Sequence, residues 1–489
     1  MTFRTVPDLL HSAADRYAGS AAIVTGDRVE SFAELLNAVR GAAEGLTHRG
    51  LHPGDRVLLA SPNSPALIHA WLGVIWAGGI PAAVNPESTA AEFDYFTADL
   101  EPSLILRPDA VEEVGNIDRS TAADDAVAAD PLDVAAIVYT SGTTSRPKGV
   151  MVRHAAYTES GQSFPGWIGL AGGQRLWACL PFFHINAQAY SLMSALAHGF
   201  SLALSPRFRA STFWPEAREL QVTSVNLVGA MLEFLATQSR DAWVESPLRT
   251  MYCAPGPTPK LRAKLESRFR VRIVTGYGLS ENPFGCIEST SSREKAGSIG
   301  RPRQPASGAF ENELRILRPD DSEADVKEVG ELCFRNPVMT AGYWNAPEIT
   351  ASTLRDGWLH TGDAGYRDAD GDVFLTGRLK DMIRRRGENI APGEVEDVLR
   401  LHESVQAVAV FGVGAGLQEE DVVAAVVLKN GANVDETALK KFAAMRLTLF
   451  KVPGKIVFRE SLPMTATHRV AKDFLRLEYE RSAKDRPPP

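Results

Sequence analysis

"YTSGTTSRPKGV" runs from Tyr139 to Val150 and follows the apolar run DVAAIVY (133–139), which reads as a strand entering a loop. The stretch has almost the spacing of the nucleotide-binding loop G-x-x-x-x-G-K-[ST]. Gly142 and Lys148 fall where that pattern needs them. Pro147 stands in place of the second glycine, and Gly149 in place of the hydroxyl residue that meets magnesium. A Ser/Thr-rich loop with glycines still points N–H groups and hydroxyls at an anion, and Lys148 adds a charge. Taken alone, the stretch is either an ordinary surface turn or a phosphate-holding loop of another design.

Around it, short apolar runs alternate with helical patterns. RVLLAS (56–61) reads as a buried strand, SPALIHAWLGVIWAGG (64–79) as a helix closed by glycines, and GIPAAVN (79–85) as the next strand. SVNLVG (224–229), TMYCAPG (250–256) and RIVTGYG (272–278) repeat one design, a β-rich run ending in small residues. Runs without polar alternation belong to strands buried on both faces, as in parallel sheets, whose ligands bind beyond the carboxyl ends. After about residue 310 the texture changes. ELRILR, GELCFR and DVFLTGR read as antiparallel strands, and the last hundred or so residues as a small α+β domain. The expected fold is therefore α/β: a large N-terminal domain of mixed and parallel sheets flanked by helices, a small β subdomain, and a small mobile α+β C-terminal domain.

Composition narrows the classes. A chain of 489 residues is long enough for two or more domains. With 44% hydrophobic and 23% charged residues it has a globular profile. A net charge of −8 argues against bulk binding of nucleic acid. The four cysteines are widely spaced, with no CxxC pair, and the ten histidines form no metal-ligand cluster. The N-terminus lacks the pattern of a signal peptide, and the longest apolar stretches are broken by His69, Gly78, Gly79 and Pro81. No membrane partner is expected, and the cytoplasm is the simplest location.

Four further stretches decide the meaning of the opening one. GYGLSE (276–281), YWNAPEIT to GR (343–378) with TGD inside it, KDMIRRRGENIAPGEVE (380–396) and LPMTATHRVAK (462–472) follow in this order. Together they closely resemble the adenylate-forming superfamily of acyl-CoA synthetases, peptide-synthetase adenylation domains and firefly-type luciferases. The resemblance spans nearly the whole chain and is closest to the AMP-forming carboxylic acid–CoA ligases. It implies a two-step reaction in which ATP and an acid give acyl-AMP, and a thiol, here coenzyme A, then releases AMP. In that family the opening loop typically reads SGTTGxPKG, so Ser145 is a mild departure.

The resemblance assigns roles by position. Thr140, Ser141, Gly142, Thr143, Thr144 and Lys148 would hold the ATP phosphates, with Ser280 beside them and Glu281 placing Mg²⁺. Ala254, Gly256, Tyr277 and Gly278 would wall the adenine. Asp363 would take the ribose hydroxyls, and Arg378 ribose or phosphate. His184, in PFFHINAQ (181–188), matches a gate between acid pocket and thiol tunnel. The acid pocket would include His184, Asn186, Gln188, Asn226, Val228, Gly229, Gly276, Leu279 and Pro283. These show no buried cation that would select an amino acid or dicarboxylate, which points to a hydrophobic or polycyclic acid. Arg384, Arg385, Arg386, Gly387 and Glu388 would face coenzyme A. Residues 1–379 would form the ATP- and acid-binding domain and 380–489 a rotating C-terminal domain, hinged near Lys380.

One departure matters. The family's last motif usually carries Gly-Lys where this chain has His468 and Arg469. Arg keeps the charge of the catalytic lysine but is planar and forked. The expected function is acyl-CoA ligase. The alternatives are a specialist in thiolation of an adenylate made elsewhere, an enzyme loading a separate carrier protein, and a non-catalytic ligand binder. A homodimer, or a partner enzyme supplying or using the adenylate, fits the same reading.

Overall fold

The computed structural model describes residues 4–26, 28–117, 125–140, 146–239, 242–289, 295, 297–385, 388–416, 419–464 and 470–484. The chain packs as two compact units, Met1–Leu314 with Phe334–His360, and Arg315–Cys333 with Thr361–Pro489.

In the first unit, one sheet has the strand order Leu104–Leu106, Arg56–Leu59, Ile80–Ala83, Val134–Thr140, Lys148–Arg153. The first four strands are parallel, and the last lies antiparallel to Val134–Thr140. A second sheet places Arg272–Tyr277, Thr250–Cys253, Ser224–Leu227, Arg175–Ala178 and Ser201–Leu204 side by side, all parallel. Ser224–Leu227 and Thr250–Cys253 are buried at every position, which is why their sequences run apolar without alternation. The helix Pro65–Trp76 shows how local signals fix an element. Ser64 caps it by accepting from the Leu67 N–H, Pro65 opens it, and Gly78 follows it at φ +76°. All its residues from Ala66 to Trp76 are buried. Among the described residues no helix is long and apolar enough to cross a membrane.

In the second unit, residues 363–367, the end of strand Trp358–Arg367, pair antiparallel with Val373–Arg378 in a hairpin closed by an Asp368 turn, whose carboxylate accepts from the Asp370 and Asp372 N–H groups. Strands Val405–Gly416, Glu419–Leu428 and Lys455–Arg459 make a three-stranded sheet, packed with helix Pro392–Arg400 over a core of Ile383, Val395, Leu399, Val410 and Val426. Before that helix lies a short hairpin, Ile383–Arg385 paired with Glu388–Ile390.

Candidate active site

The quoted loop joins two paired strands, with Thr140 directly opposite Lys148. That separates it from a G-x-x-x-x-G-K loop, which opens a helix and uses the helix N-terminus. Lys148 instead begins a strand, so the cation is held by sheet register. Ser141, Gly142, Thr143 and Thr144 lie outside the described residues. The loop's far end is braced: the Tyr95 hydroxyl donates to the Pro147 carbonyl at 2.8 Å, and the Arg146 guanidinium lies over the Tyr95 ring.

Residues 341–344 run antiparallel along Lys148–Arg153. Backbone N–H groups of Met151, Ala341 and Trp344 donate to the carbonyls of Gly342, Met151 and Gly149. This pairing places the Tyr343 ring 5.5 Å from the Lys148 ammonium. The Tyr343 hydroxyl donates to Glu281 Oε1 at 2.7 Å. Glu281 sits in a turn in which Leu279 and Asn282 exchange backbone hydrogen bonds, and its carbonyl accepts from the Thr340 N–H at 2.8 Å. Three buried asparagines fix that turn from below: the Asn336 amide donates to Asn282 at 3.1 Å and to Asn312 at 2.8 Å, and Asn312 donates to the Gly285 carbonyl. A cation, a phenol and a carboxylate are thus held in a row on rigid backbone. Tyr343 belongs to one of the recognised motifs, yet its bridging position follows only from the sheet.

The other predicted residues of this unit gather at the carboxyl ends of the parallel strands. Ala254 and Gly256 follow Thr250–Cys253, Val228 and Gly229 follow Ser224–Leu227, and Tyr277 to Ser280 follow Val274 in register beside them. A side chain at Gly256 would collide with Thr275, and one at Gly278 would meet the Tyr190 hydroxyl at 2.8 Å. The Asn226 amide donates to Asn186 Oδ1 at 2.8 Å, which joins two candidate pocket residues. Gln188 is committed inside the core: its amide accepts from the Tyr157 hydroxyl at 2.5 Å and donates to the Phe182 carbonyl at 2.8 Å. It braces the pocket segment and does not present a free amide. His184 is half-buried with its ring tilted against Phe183 at 4.5 Å. Pro283 is buried.

The expectation of no buried cation meets a correction here. Arg303, in GRPRQPA (300–306), is 1% exposed. It donates to the carbonyls of Cys286 and Pro283, both at 3.0 Å, and to the hydroxyls of Tyr190 and Tyr252. Burial works against its charge, but the two hydroxyls outweigh it and hold the group above its ordinary pKa. Burial raises both tyrosines, so they stay neutral. An arginine among Gly and Pro reads as a surface residue, and nothing in its neighbourhood in the sequence signals this burial.

In the second unit, Asp363 is 5% exposed and pairs with Arg378 across the hairpin at 2.6 Å. The Arg378 Nη1 also donates to the Thr361 carbonyl at 3.2 Å, so the structure brings the two predicted ribose residues together. Lys380 lies 3.2 Å from Asp473. Arg385 donates to the carbonyls of Phe450 and Val452 at 3.1 and 2.9 Å and braces its own domain, while Arg384 beside it is exposed. Arg386 and Gly387 lie outside the described residues, and Glu388 is described only as a strand residue. Arg469 also lies outside them. Met464 and Val470, on either side of it in the chain, form an antiparallel bridge.

Comparison with known proteins gives this geometry a family. The model of the AMP-binding enzyme family matches residues 10–344, and that of the AMP-binding enzyme C-terminal domain matches 394–469. Feruloyl-CoA synthase of Amycolatopsis sp is 32% identical, over 96% of both chains. The crystal structure of ATP-bound MatB from Rhodopseudomonas palustris superposes with a TM-score of 0.87 at 25% identity, covering 98% of this chain and 99% of that one. The O-succinylbenzoate coenzyme A synthetase of Bacillus subtilis, in complex with ATP and a magnesium ion, gives 0.84 at 25% identity over 96% and 99%. A family model matched over most of the chain, and a CoA ligase 32% identical along nearly all of it, leave one assignment: the chain belongs to the AMP-binding enzyme family and is an AMP-forming acid–thiol ligase.

Proposed function

We propose that this ligase runs both half-reactions in the cytoplasm, with coenzyme A as the acceptor and Lys148 and Glu281 at the centre of the first. The carboxylate of the acid attacks the α-phosphate of ATP, the bond to pyrophosphate breaks, and acyl-AMP forms. The thiol of coenzyme A then attacks the acyl carbonyl, and AMP leaves. The observation that supports this reading is the row Lys148, Tyr343, Glu281. Phosphoryl transfer needs charge neutralised and reactants aligned more than it needs a covalent nucleophile. Lys148 supplies one cation. Glu281 uses one carboxylate oxygen for Tyr343 and keeps a half-buried anionic group suited to a hard divalent cation. Magnesium there would neutralise phosphate charge. Acid-dependent release of pyrophosphate, followed by coenzyme A-dependent release of AMP, tests the reading across a panel from propanoate and benzoate to decanoate. Activity in neither step sinks it.

Asp363, buried and paired with the half-buried Arg378, supports the ribose assignment. Asp363→Ala is expected to weaken a non-hydrolysable acyl-sulfamoyl adenosine by more than about tenfold, since it removes a charged acceptor from a buried site. Asp363→Asn, which keeps an acceptor facing Arg378, falls between. Unchanged affinity in a folded Asp363→Ala protein rejects the role.

The division at Lys380 is proposed as the hinge of a C-terminal domain that turns between steps. Lys380→Pro fixes φ there and is expected to depress one half-reaction far more than the other. Equal loss in both steps, or none, removes the hinge.

A further inference from the structure

We infer that Arg303 is a positioning residue that closes the deep end of the acid pocket, and that the acid is therefore compact, a short chain or a single ring. This rests on the assignment of Gly276, Gly278 and Pro283 to the pocket wall. Immediately behind Gly276 and Gly278 the structure is filled. A Cβ at Gly276 would strike the Arg303 guanidinium and the Tyr252 hydroxyl, and a Cβ at Gly278 would meet Tyr190 at 2.8 Å, with Arg303 Nη1 3.9 Å away. The space a longer acyl group would need is filled by a cation and two phenols.

The plug is fixed on every side. The Arg303 guanidinium carbon lies 5.0, 5.2 and 5.3 Å from the ring centres of Trp167, Tyr190 and Tyr252. Phe164 stacks on Tyr190 at 4.7 Å, and Phe284 packs edge-on against Trp167 at 5.1 Å. The Trp167 indole donates to the Gln304 carbonyl at 2.8 Å. Among the described residues none of the groups Arg303 touches is a carboxylate. Its charge is held by neutral hydroxyls, carbonyls and ring faces alone. An alkyl chain pushing past Gly276 would have to break those hydrogen bonds and leave a charge in an apolar, aromatic enclosure. A flexible apolar side chain in the same place would yield; a fork hydrogen-bonded to four partners does not.

The same enclosure explains why Tyr190 and Tyr252 lie so far from each other in sequence yet share a wall. Arg303 donates to both, and Tyr190 also donates to Pro283, so one guanidinium ties together the helical segment Asn186–Leu192, the strand Thr250–Cys253 and the turn leading from Glu281.

Binding of butanoyl- and decanoyl-sulfamoyl adenosine, measured by calorimetry, tests this without turnover. The two ligands share the adenylate part, so their ratio isolates the acyl pocket. The wild-type protein is expected to bind the butanoyl compound tighter by about tenfold or more. Arg303→Ala, with Arg303→Leu as the variant that keeps more of the packing, is expected to erase or invert that ratio. Arg303→Lys, which keeps a cation of similar length, is expected to restore part of it. A wild-type protein that binds the decanoyl compound as tightly as the butanoyl one overturns the inference, and so does an unchanged ratio in either folded variant. If both variants fail to fold, the wild-type ratio decides. Binding of neither compound overturns the ligase reading itself, a different result from a flat ratio.

Discussion

Arg469→Ala lowers the rate of acyl-adenylate formation by about 10²–10³ and leaves thioester formation from a preformed adenylate and coenzyme A within a few-fold of wild type. The expectation follows from the chemistry of the first step. Negative charge moves from the acid to the departing pyrophosphate, and one well-aimed cation in a water-poor site is worth that much. The family's last motif supplies a lysine at this place, and this chain supplies Arg469. The rival cation is Lys472, three residues on. In the second unit its ammonium lies 2.6 Å from Glu396, a buried carboxylate that also accepts from the Val410 N–H at 2.8 Å. Lys472 thus anchors the start of the last helix, Lys472–Lys484, against helix Pro392–Arg400. Lys472→Ala is expected to lower stability by about 1–3 kcal/mol, because Glu396 loses its nearer partner and keeps Arg400 at 3.3 Å. Its adenylation rate should stay near wild type. Pyrophosphate release and melting temperature, measured on both variants, separate the roles. If Lys472→Ala stops adenylation at unchanged stability while Arg469→Ala is silent, the two assignments change places.

The wild-type rate in the same assay bears on the thiolation-only alternative, which the comparisons do not favour. Arginine keeps the charge but spreads it over a plane, so the adenylation step is the place where this chain should differ from a lysine-bearing one. The double change His468→Gly, Arg469→Lys raises that step if the fork is a poorer fit than the ammonium, and leaves thiolation alone.

What the sequence made legible has a physical pattern. Strands such as Ser224–Leu227 and Thr250–Cys253 are buried on both faces, so their apolar runs are unbroken and read directly. The register of Thr140 opposite Lys148 and the pairing of Asp363 with Arg378 fall on short contiguous motifs, so the sequence could point to them. The position of Tyr343 was not legible, because its place depends on residues 341–344 pairing with a strand almost two hundred positions earlier. Arg303 was hidden for the same reason. Its partners Tyr190 and Tyr252 lie 113 and 51 positions away, and no local periodicity marks a polar residue that the tertiary fold will bury. Arg385 shows the opposite error. The run Arg384 to Arg386 was expected to face coenzyme A as one group, yet Arg385 turns to the carbonyls of Phe450 and Val452 while Arg384 is exposed. Contiguous chemistry can be read from sequence; chemistry assembled across a sheet cannot.

Glu281→Gln is expected to cut adenylation by about 10²–10³ with little change in melting temperature. The substitution is chosen for what it keeps. Glutamine is the same size, and its carbonyl oxygen still accepts from the Tyr343 hydroxyl, so the row from Lys148 stays in place. The turn is also independent of the carboxylate, since Leu279, Asn282 and Thr340 hold it through backbone groups and the three asparagines hold it from below. What is lost is a full negative charge able to hold a divalent cation. Tyr343→Phe is the matched control. It removes the hydroxyl and leaves both charges, so it should cost only about 1–2 kcal/mol in positioning, roughly five- to thirtyfold in rate. Raising the magnesium concentration separates the two. The Glu281→Gln rate should climb as the weakened site fills, whereas the Tyr343→Phe rate should not respond. A Glu281→Gln protein that adenylates at the wild-type rate at low magnesium would remove the metal role from Glu281. An equal loss in both variants would mean that the carboxylate acts only by holding Tyr343 against Lys148.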